Sequence, residues 1–481
     1  MIEFFDGTVW PLAVSVAGWS IIVGALVYIP FRRSPVAAQA WLMLFFFLPW
    51  IALPVYLAVG NARHPKWRRD RIEQVPSIIR KAIAHIKLDG VSGLRALPQR
   101  HRATSHLVQR IGNFPCLAHN KITLDADYNR VVDRIAADID KARHHAHVMV
   151  YILQNDQAGN KILSALERAA RRGVKCRLLI DAVGSSRDRR AIAKRLTGTG
   201  VELRLILPLR FWNQATRLDL RNHRKIVVVD GLIGWVGSQN MHRIEYEPKT
   251  FYREVMARVE GPVVLELQSI FIGDWYLETD EDIASPDLMP EPPPPTVEHK
   301  AIAQVLPSGP DYPEAGVDIL FTDLIYAARQ RVVLATPYFI PNEPLLVAMR
   351  TAVAKGVRVT LFVTSTTNSV LIDHAQQSYY DELLEAGIEV MLYRERFLHA
   401  KHLSIDDDIA VVGSANMDRR SFELNSEVTL IAFNEDLVRD LRVIEDDYRA
   451  KSHRLQMAQW QRRGFWRQLA ENVTRLISPL L

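Results

Sequence analysis

RNHRKIVVVD, residues 221–230, and LHAKHLSIDD, residues 398–407, carry the same three residue types at the same spacing. Each has a histidine, a lysine two positions on, and an aspartate seven positions after the histidine: His223, Lys225, Asp230 and His399, Lys401, Asp406. Residues two apart on a strand face the same way. The β-branched density of the first stretch reads as a strand, so each His and its Lys should point together. Fourteen positions beyond each His a small-residue turn begins, GSQN at 237–240 and GSAN at 413–416. These turns add the Ser238 and Ser414 hydroxyls and the Asn240 and Asn416 amides as candidate substrate-binding donors. Glu254 and Glu427 follow in FYREVMARVEGP and FELNSEVTLIAF, on strands that could return to the histidines and orient their rings.

Two imidazoles, two ammonium groups and two amides on one floor suit a phosphodiester. Donors placed where negative charge develops stabilise the transition state. Imidazole titrates near neutrality, so one ring can attack phosphorus while the other protonates the leaving alkoxide. The second ring then activates an incoming hydroxyl, giving a two-step displacement through a phosphohistidine. This chemistry requires no metal and no cofactor. Asp230 and Asp406 complete the motif and are counted with the catalytic set. Their odd spacing from the His, and the turn glycine Gly231 after Asp230, favour a structural part holding backbone. A lone copy of the motif would be matched often by accident. Two copies with GSxN at one interval are not.

The surrounding elements repeat as well. Residues 128–181 read helix, strand, helix, strand, and residues 316–363 do the same, with Gly173 and Gly356 closing a helix before a β-rich run. His223 to His399 and Gly237 to Gly413 are both separated by 176 residues. This is an internal duplication of a domain. The expected fold class is α/β: two duplicated lobes at 121–276 and 301–455, each a mixed sheet flanked by helices. Between them, residues 277–300 are acidic and hold four consecutive prolines, which predicts an extended, poorly packed linker.

Ahead of the lobes, residues 1–62 contain two apolar runs, PLAVSVAGWSIIVGALVYI and AWLMLFFFLPWIALPVYLAVG, each about one bilayer helix long. They predict two transmembrane helices, the second kinked at Pro49 and Pro54 or, as an alternative, a re-entrant hairpin. A cleaved leader is disfavoured by Glu3 and Asp6 and by the second run. Arg32 and Arg33 lie between the runs, and Arg63, Lys66, Arg68, Arg69 and Arg71 follow them, which places the lobes in the cytoplasm, five cations against two. Residues 63–120 read as a basic connector with some helix. Residues 456–481 form an amphipathic tail with Trp466, Leu469, Val473, Leu476, Ile477 and Leu480 on one face and Arg467 and Arg475 on the other. That tail lies in the membrane interface or packs on the core.

A formal charge of +6 favours acidic partners. With only Cys116 and Cys176, neither a disulfide framework nor a cysteine-rich metal site is expected. His144, His145 and His147, at a helix–strand junction, read as solvated. The arginine groups RRDRIEQ and QRRGFWR read as membrane-facing charge rather than nucleic-acid sites.

The paired motifs resemble those of the phospholipase D superfamily, in which two α/β lobes share one active site. Over nearly its whole length the chain resembles the bacterial cardiolipin synthases, through the N-terminal apolar runs, YILQND at 151–156, VLPSGPD at 305–311, TPYFIP at 336–341, QQSYYDELLEAGIEV at 376–390 and LHAK at 398–401. The resemblance implies phosphatidyl transfer between two phosphatidylglycerols with release of glycerol, at the inner membrane, with anionic phospholipids as partners. By family analogy His223 is the nucleophile and His399 the acid/base. The resemblance also puts Tyr338 and Pro341 near the site mouth. The family's first lobe usually reads Trp-Arg-Asp where this chain has Tyr252-Arg253-Glu254, so Glu254 is carried over less directly than Glu427. Competing readings are a hydrolytic phospholipase or nuclease of the superfamily and a catalytically silent lipid scaffold.

Overall fold

A computed structural model describes residues 9–60, 64–84, 86, 91–209, 217, 219–247, 250–292, 294–312, 316–365, 367 and 369–477. The expected Glu3–Asp6 leader charge, Arg63, Pro293 and Leu480 lie outside these residues.

Two sheets of identical connectivity form the body. In the first lobe the strand His145–Val150 pairs parallel with Lys175–Asp181, which pairs parallel with Val201–Ile206. On its other side His145–Val150 pairs antiparallel with Ile226–Val229, followed by Ile233–Gly237, Met256–Glu260 and Leu117–Asp125. The second lobe repeats this order with Arg331–Ala335 at the centre, Arg358–Thr364 and Glu389–Tyr393 parallel on one side, and His402–Ile405, Ile409–Gly413, Asn425–Phe433 and Ala301–Ser308 antiparallel on the other. The lobes join where Leu117 and Asn120 pair with Ala303 and Ala301, making one sixteen-stranded sheet. Gly173 and Gly356 end the crossover helices Gln157–Arg171 and Glu343–Ala354 at φ of 86° and 88°, a conformation glycine adopts without strain. Asp156 and Asn342 cap the starts of the same helices.

A single hydrophobic core crosses the lobe boundary. It takes Ile226, Val228 and Val236 from the first lobe, Val305, Val412 and Val428 from the second, and the buried helix Val264–Thr279 between them. That helix runs three residues into the expected linker, and Ile283, Leu288 and Met289 are buried in the same core. The first part of the segment, through Met289, is therefore fastened to the core, whereas Val297 in the proline-rich part is 86% exposed, as an extended linker would be. His145 and His147 correct another expectation. Both are fully buried, and His147 stacks on Phe271 at 4.4 Å, because the strand begins at His145 and faces that helix.

The N-terminal region departs most from expectation. Helix Val9–Tyr28 belongs to a 21-residue apolar stretch, Pro11–Phe31, and among the described residues it is the one helix long and apolar enough to cross a membrane. The second apolar run is two helices, Pro35–Phe47 and Pro49–Val59. They fold back on each other. Trp41 and Tyr56 rings meet at 5.0 Å, and Arg33 Nη2 donates to the Val59 carbonyl at 3.3 Å, so both ends of the run lie together. One continuous helix would put Trp41 and Tyr56 about 22 Å apart at 1.5 Å per residue. Pro49 at the first turn of the second helix, with no N–H to give, permits the reversal at Leu48. The second run thus folds as a helical hairpin, the alternative expected for it, and one helix, Val9–Tyr28, is of spanning length among the described residues.

The basic residues are also redeployed. Arg68 is buried and pairs with Glu278 and Asp311, and Arg71 with Asp280, so these two anchor the connector to the lobes rather than facing headgroups.

The tail helix Phe465–Ile477 is inverted relative to an ordinary surface helix. Its polar side packs inward: buried Glu471 takes Arg463 and Arg467, and Arg475 reaches Glu382. Its apolar side faces out, with Trp466 78%, Val473 50% and Leu476 59% exposed.

Candidate active site

The strand pairing at the two motifs is crossed between lobes. Arg221–Asn222, just before His223, pairs parallel with Asn425–Ser426 of the second lobe. Phe397–Leu398, just before His399, pairs parallel with Tyr252–Arg253 of the first. The His-x-Lys triplets themselves are not regular strand; they lie between these short pairings and the strands beginning at Ile226 and His402. Each motif therefore leaves its own sheet for one step to touch the other.

The crossing delivers each histidine to the other lobe's glutamate. His223 Nδ1 is 3.0 Å from both Glu427 carboxylate oxygens, and His399 Nδ1 is 2.6 Å from Glu254 Oε1. With both Nδ1 atoms taken, Nε2 is the nitrogen each ring has for the cavity. Both rings line one cavity of about 320 Å³, together with Tyr151, Asn240, Tyr338 and Asn416. Tyr151 stands edge-on to His223 at 5.0 Å and Tyr252 edge-on to His399 at 5.4 Å, fixing the ring planes.

The lysines sit behind the rings, fully enclosed. Lys225 Nζ donates to the His223 carbonyl and Lys401 Nζ to the His399 carbonyl, each at 2.5 Å. Burial pushes Lys225 down to about 7 and Lys401 down to about 8, against the pull of Glu427 and Glu254. Two poised cations under one cavity floor favour an anion above them.

The two glutamates differ. Burial pushes Glu427 up, but His223, Lys225 and the Ser414 hydroxyl outweigh it and hold the carboxylate below its usual range. Glu254 is pushed by burial up to about 8, with Lys401 and Ser238 only partly offsetting. Burial takes His223 down to about 4 and, with the two lysines, His399 well below its ordinary value. Burial and the neighbouring charges thus favour an ionised Glu427 beside His223 and a protonated Glu254 beside His399.

Several residues read from the sequence act elsewhere. The Asp230 carboxylate accepts the backbone N–H groups of Arg143, His144 and His145, each at 2.8 Å. Asp406 does the same for Arg329, Gln330 and Arg331. Both stand at the far end of their strands from the histidine, so their place in the catalytic set is corrected to one of holding backbone. Ser238 and Ser414 do not line the cavity. Ser238 accepts Val255 N at 3.0 Å, and Ser414 donates to Glu427, so they brace the glutamate strands rather than meet substrate. A Cβ on Gly237 or Gly413 would strike the Val255 or Val428 carbonyl, which is why glycine opens both turns. Asn240 and Asn416 do line the cavity; Asn240 Oδ1 accepts Ile152 N at 3.2 Å, leaving its NH2 as the donor it can offer. Tyr338 lines the cavity and Pro341 an adjoining groove.

The cavity wall also holds residues that the sequence reading passed over: His242, Arg419, Arg420 and Asn425. The available signal was position, since His242, Arg419 and Arg420 follow within four residues of the GSxN asparagines.

The family model described as cardiolipin synthase with a phospholipase D-like domain matches residues 135–275 and 321–446, one match per lobe. The cardiolipin synthase A of Pectobacterium atrosepticum is 32% identical over all of both chains. The chain belongs to the cardiolipin synthase family of phospholipase D-like proteins. A cardiolipin synthase of Geobacillus kaustophilus is likewise 32% identical, over 99% of this chain and 95% of that one. Among solved structures, the phosphatidylserine synthase of Haemophilus influenzae matches 79% of this chain and 100% of its own with a TM-score of 0.59 and 16% identity, a likeness of fold. The two family matches fall on the two lobes whose histidines share the cavity.

Proposed function

We propose that the crossed cavity transfers a phosphatidyl group from one phosphatidylglycerol to the terminal glycerol hydroxyl of another. Membership in the family makes the protein a phosphatidyltransferase acting on phospholipid. Its catalytic assignment rests on one observation: two imidazoles from different lobes line one cavity, each held at Nδ1 by the other lobe's glutamate. In this reading the His223–Glu427 pair carries one proton, on Nδ1, and the His399–Glu254 pair carries two. His223 Nε2, a lone pair, attacks phosphorus. The P–O bond to the glycerol headgroup breaks, and His399 Nε2–H gives its proton to that oxygen as the Glu254 proton moves onto Nδ1, so free glycerol leaves. His399, now with a bare Nε2, takes the proton from the incoming hydroxyl as its oxygen attacks phosphorus. The P–N bond breaks and both rings return to their starting states. Lys225 and Lys401 stabilise the extra charge from beneath, and Asn240 and Asn416 donate from the wall. Glu427 and Glu254 set the two tautomers.

The membrane arrangement follows the same reading. One helix, Val9–Tyr28, crosses the bilayer; the hairpin 35–59 enters and returns on the lobe side. Arg32 and Arg33 then join Lys66 and Arg69 on that side, so every flanking cation argues for cytoplasmic lobes. The outward apolar face of the tail helix rests in the same interface. The functional test is mass spectrometry of products from purified phosphatidylglycerol in mixed micelles. Cardiolipin with equimolar glycerol is expected; phosphatidic acid as the main product would move the reading to hydrolysis.

A further inference from the structure

Beside the catalytic cavity runs a second, larger one of about 890 Å³, bounded by the hairpin helix Pro35–Phe47 and the tail helix. Its walls are mainly apolar, with Ala40 and Met43 on one side, Leu469, Val473 and Leu476 on the other, and Leu346 at the floor. Both flanking helices belong to the membrane-facing surface of the proposed topology, so the groove opens where acyl chains are. It is also continuous with the chemistry. Arg419 lines both cavities, and consecutive residues divide them, Ile340 on the catalytic side and Pro341 on the groove side. Among the described residues the buried Arg419 Nε has no hydrogen-bond partner, although it sits at the junction where a lipid's phosphate and esters would pass.

We propose that this groove holds an acyl chain of the phospholipid substrate, with the Arg419 guanidinium binding the phosphate or ester oxygens at its head. The proposal rests on the phosphatidyl-transfer reading and adds the route by which the lipid reaches it. To bring phosphorus to His223 Nε2 the lipid must rise out of the bilayer. Every methylene then left in water slows the reaction roughly fourfold. An apolar wall leading from the bilayer to the cavity removes that penalty. Its volume lies within the range of about 300–1,000 Å³ usual for ligand pockets. The groove therefore positions the substrate rather than tightening its binding, since the chain comes from an environment that is already apolar.

The test uses the full-length enzyme in nanodiscs containing phosphatidylglycerol with a photoactivatable diazirine in the mid-acyl chain. Irradiation should label peptides carrying Leu346, Met43 and Val473. Label confined to the outer faces, such as Trp466 or Leu57, would overturn the proposal. Independently, Val473→Trp, on an exposed helix face, should lower the ratio of long-chain to dihexanoyl kcat/KM by roughly tenfold or more, a few methylenes' worth. An unchanged ratio would count against the groove. Arg419→Gln should raise KM for both lipids more than it lowers kcat; the reverse split would remove its binding role. Wild-type enzyme that makes no cardiolipin would defeat the transfer reading itself. Wild type that makes it, with an unlabelled groove and an unchanged ratio, would defeat only this inference.

Discussion

Glu427 and His223 touch at 3.0 Å although 204 residues and a lobe boundary separate them, and Glu254 meets His399 across the same boundary in the opposite sense. Neither lobe contains a complete catalytic pair. Without the other, either lobe would leave its imidazole lacking the carboxylate held at Nδ1. In the proposed mechanism an ionised Glu427 and a protonated Glu254 divide the work between the two histidines.

Glutamine at the two positions should have unequal effects. In Glu427→Gln the amide offers N–H to His223 Nδ1 and forces the proton onto Nε2, which removes the nucleophile's lone pair. Loss of about 10³–10⁴-fold in kcat is expected, the size of a wrong-tautomer defect. In Glu254→Gln the amide can donate to His399 Nδ1 but cannot give its proton up, so release of Nε2–H would leave an imidazolate. The loss should be about 10²–10⁴-fold with phosphatidylglycerol. It should be slight with a nitrophenolate leaving group, which needs no proton. Equal losses in both variants with the nitrophenyl substrate would contradict the assigned roles of the two histidines.

The pH profile carries the same signature. Glu254 must hold its proton for His399 to act as acid, and it titrates at about 8; His223 must be unprotonated, and it titrates at about 4. Activity should therefore fall as pH rises through 8, and the acid limb should lie far below neutrality. Lys225 and Lys401 lose their charge in the same range, at about 7 and about 8, so in Glu254→Gln the alkaline limb should become shallower rather than vanish. An unchanged limb would remove Glu254 from it.

Lys225 links chemistry to stability. Its ammonium titrates at 10.5 in a free chain and at about 7 in the fold. As pH falls from 10.5 to 7 the unfolded chain takes up a proton that the folded one does not, so stability declines across this window and levels off below it. Lys225→Met should be more thermostable than wild type by a margin that grows over the same range, while losing on the order of 10² or more in kcat. Parallel thermal unfolding curves at pH 9 and pH 7 would refute the buried-cation account.

Asp230→Asn separates structure from catalysis. The substitution weakens acceptance of three backbone N–H groups and should cost about 1–3 kcal/mol of stability. At a temperature where the variant is folded, kcat should remain within a few-fold of wild type. A loss matching that of His223→Ala would return Asp230 to the chemistry.

Membrane topology is open to cysteine labelling, because Cys116 and Cys176 are buried. Ser34→Cys lies in the turn beside Val59 and should react with an impermeant thiol reagent only from the side of the lobes. Labelling from the opposite side would restore two spanning helices.

The duplication and the motifs were legible because spacing along a chain records them directly. Which glutamate serves which histidine was not. A strand's sequence says which way its side chains alternate, but not that Arg221–Asn222 would pair with the other lobe's Asn425–Ser426. The burial of His145 and His147 was hidden for a related reason: one helix, Val264–Thr279, covers a face that hydropathy at 144–147 does not mark. The hairpin at 35–59 stood only as the alternative because composition fixes the apolar length, whereas the reversal depends on Leu48–Pro49 and on Trp41 finding Tyr56.

The most direct measurement uses phosphatidyl-4-nitrophenol, whose leaving group needs no proton, with His399→Ala and His223→Ala. His399→Ala should release about one equivalent of nitrophenolate in a burst and hold a phosphatidyl adduct on His223, located by peptide mass spectrometry. His223→Ala should give neither burst nor adduct. A burst in His223→Ala, or an adduct mapped to His399 in the wild-type enzyme, would contradict the account.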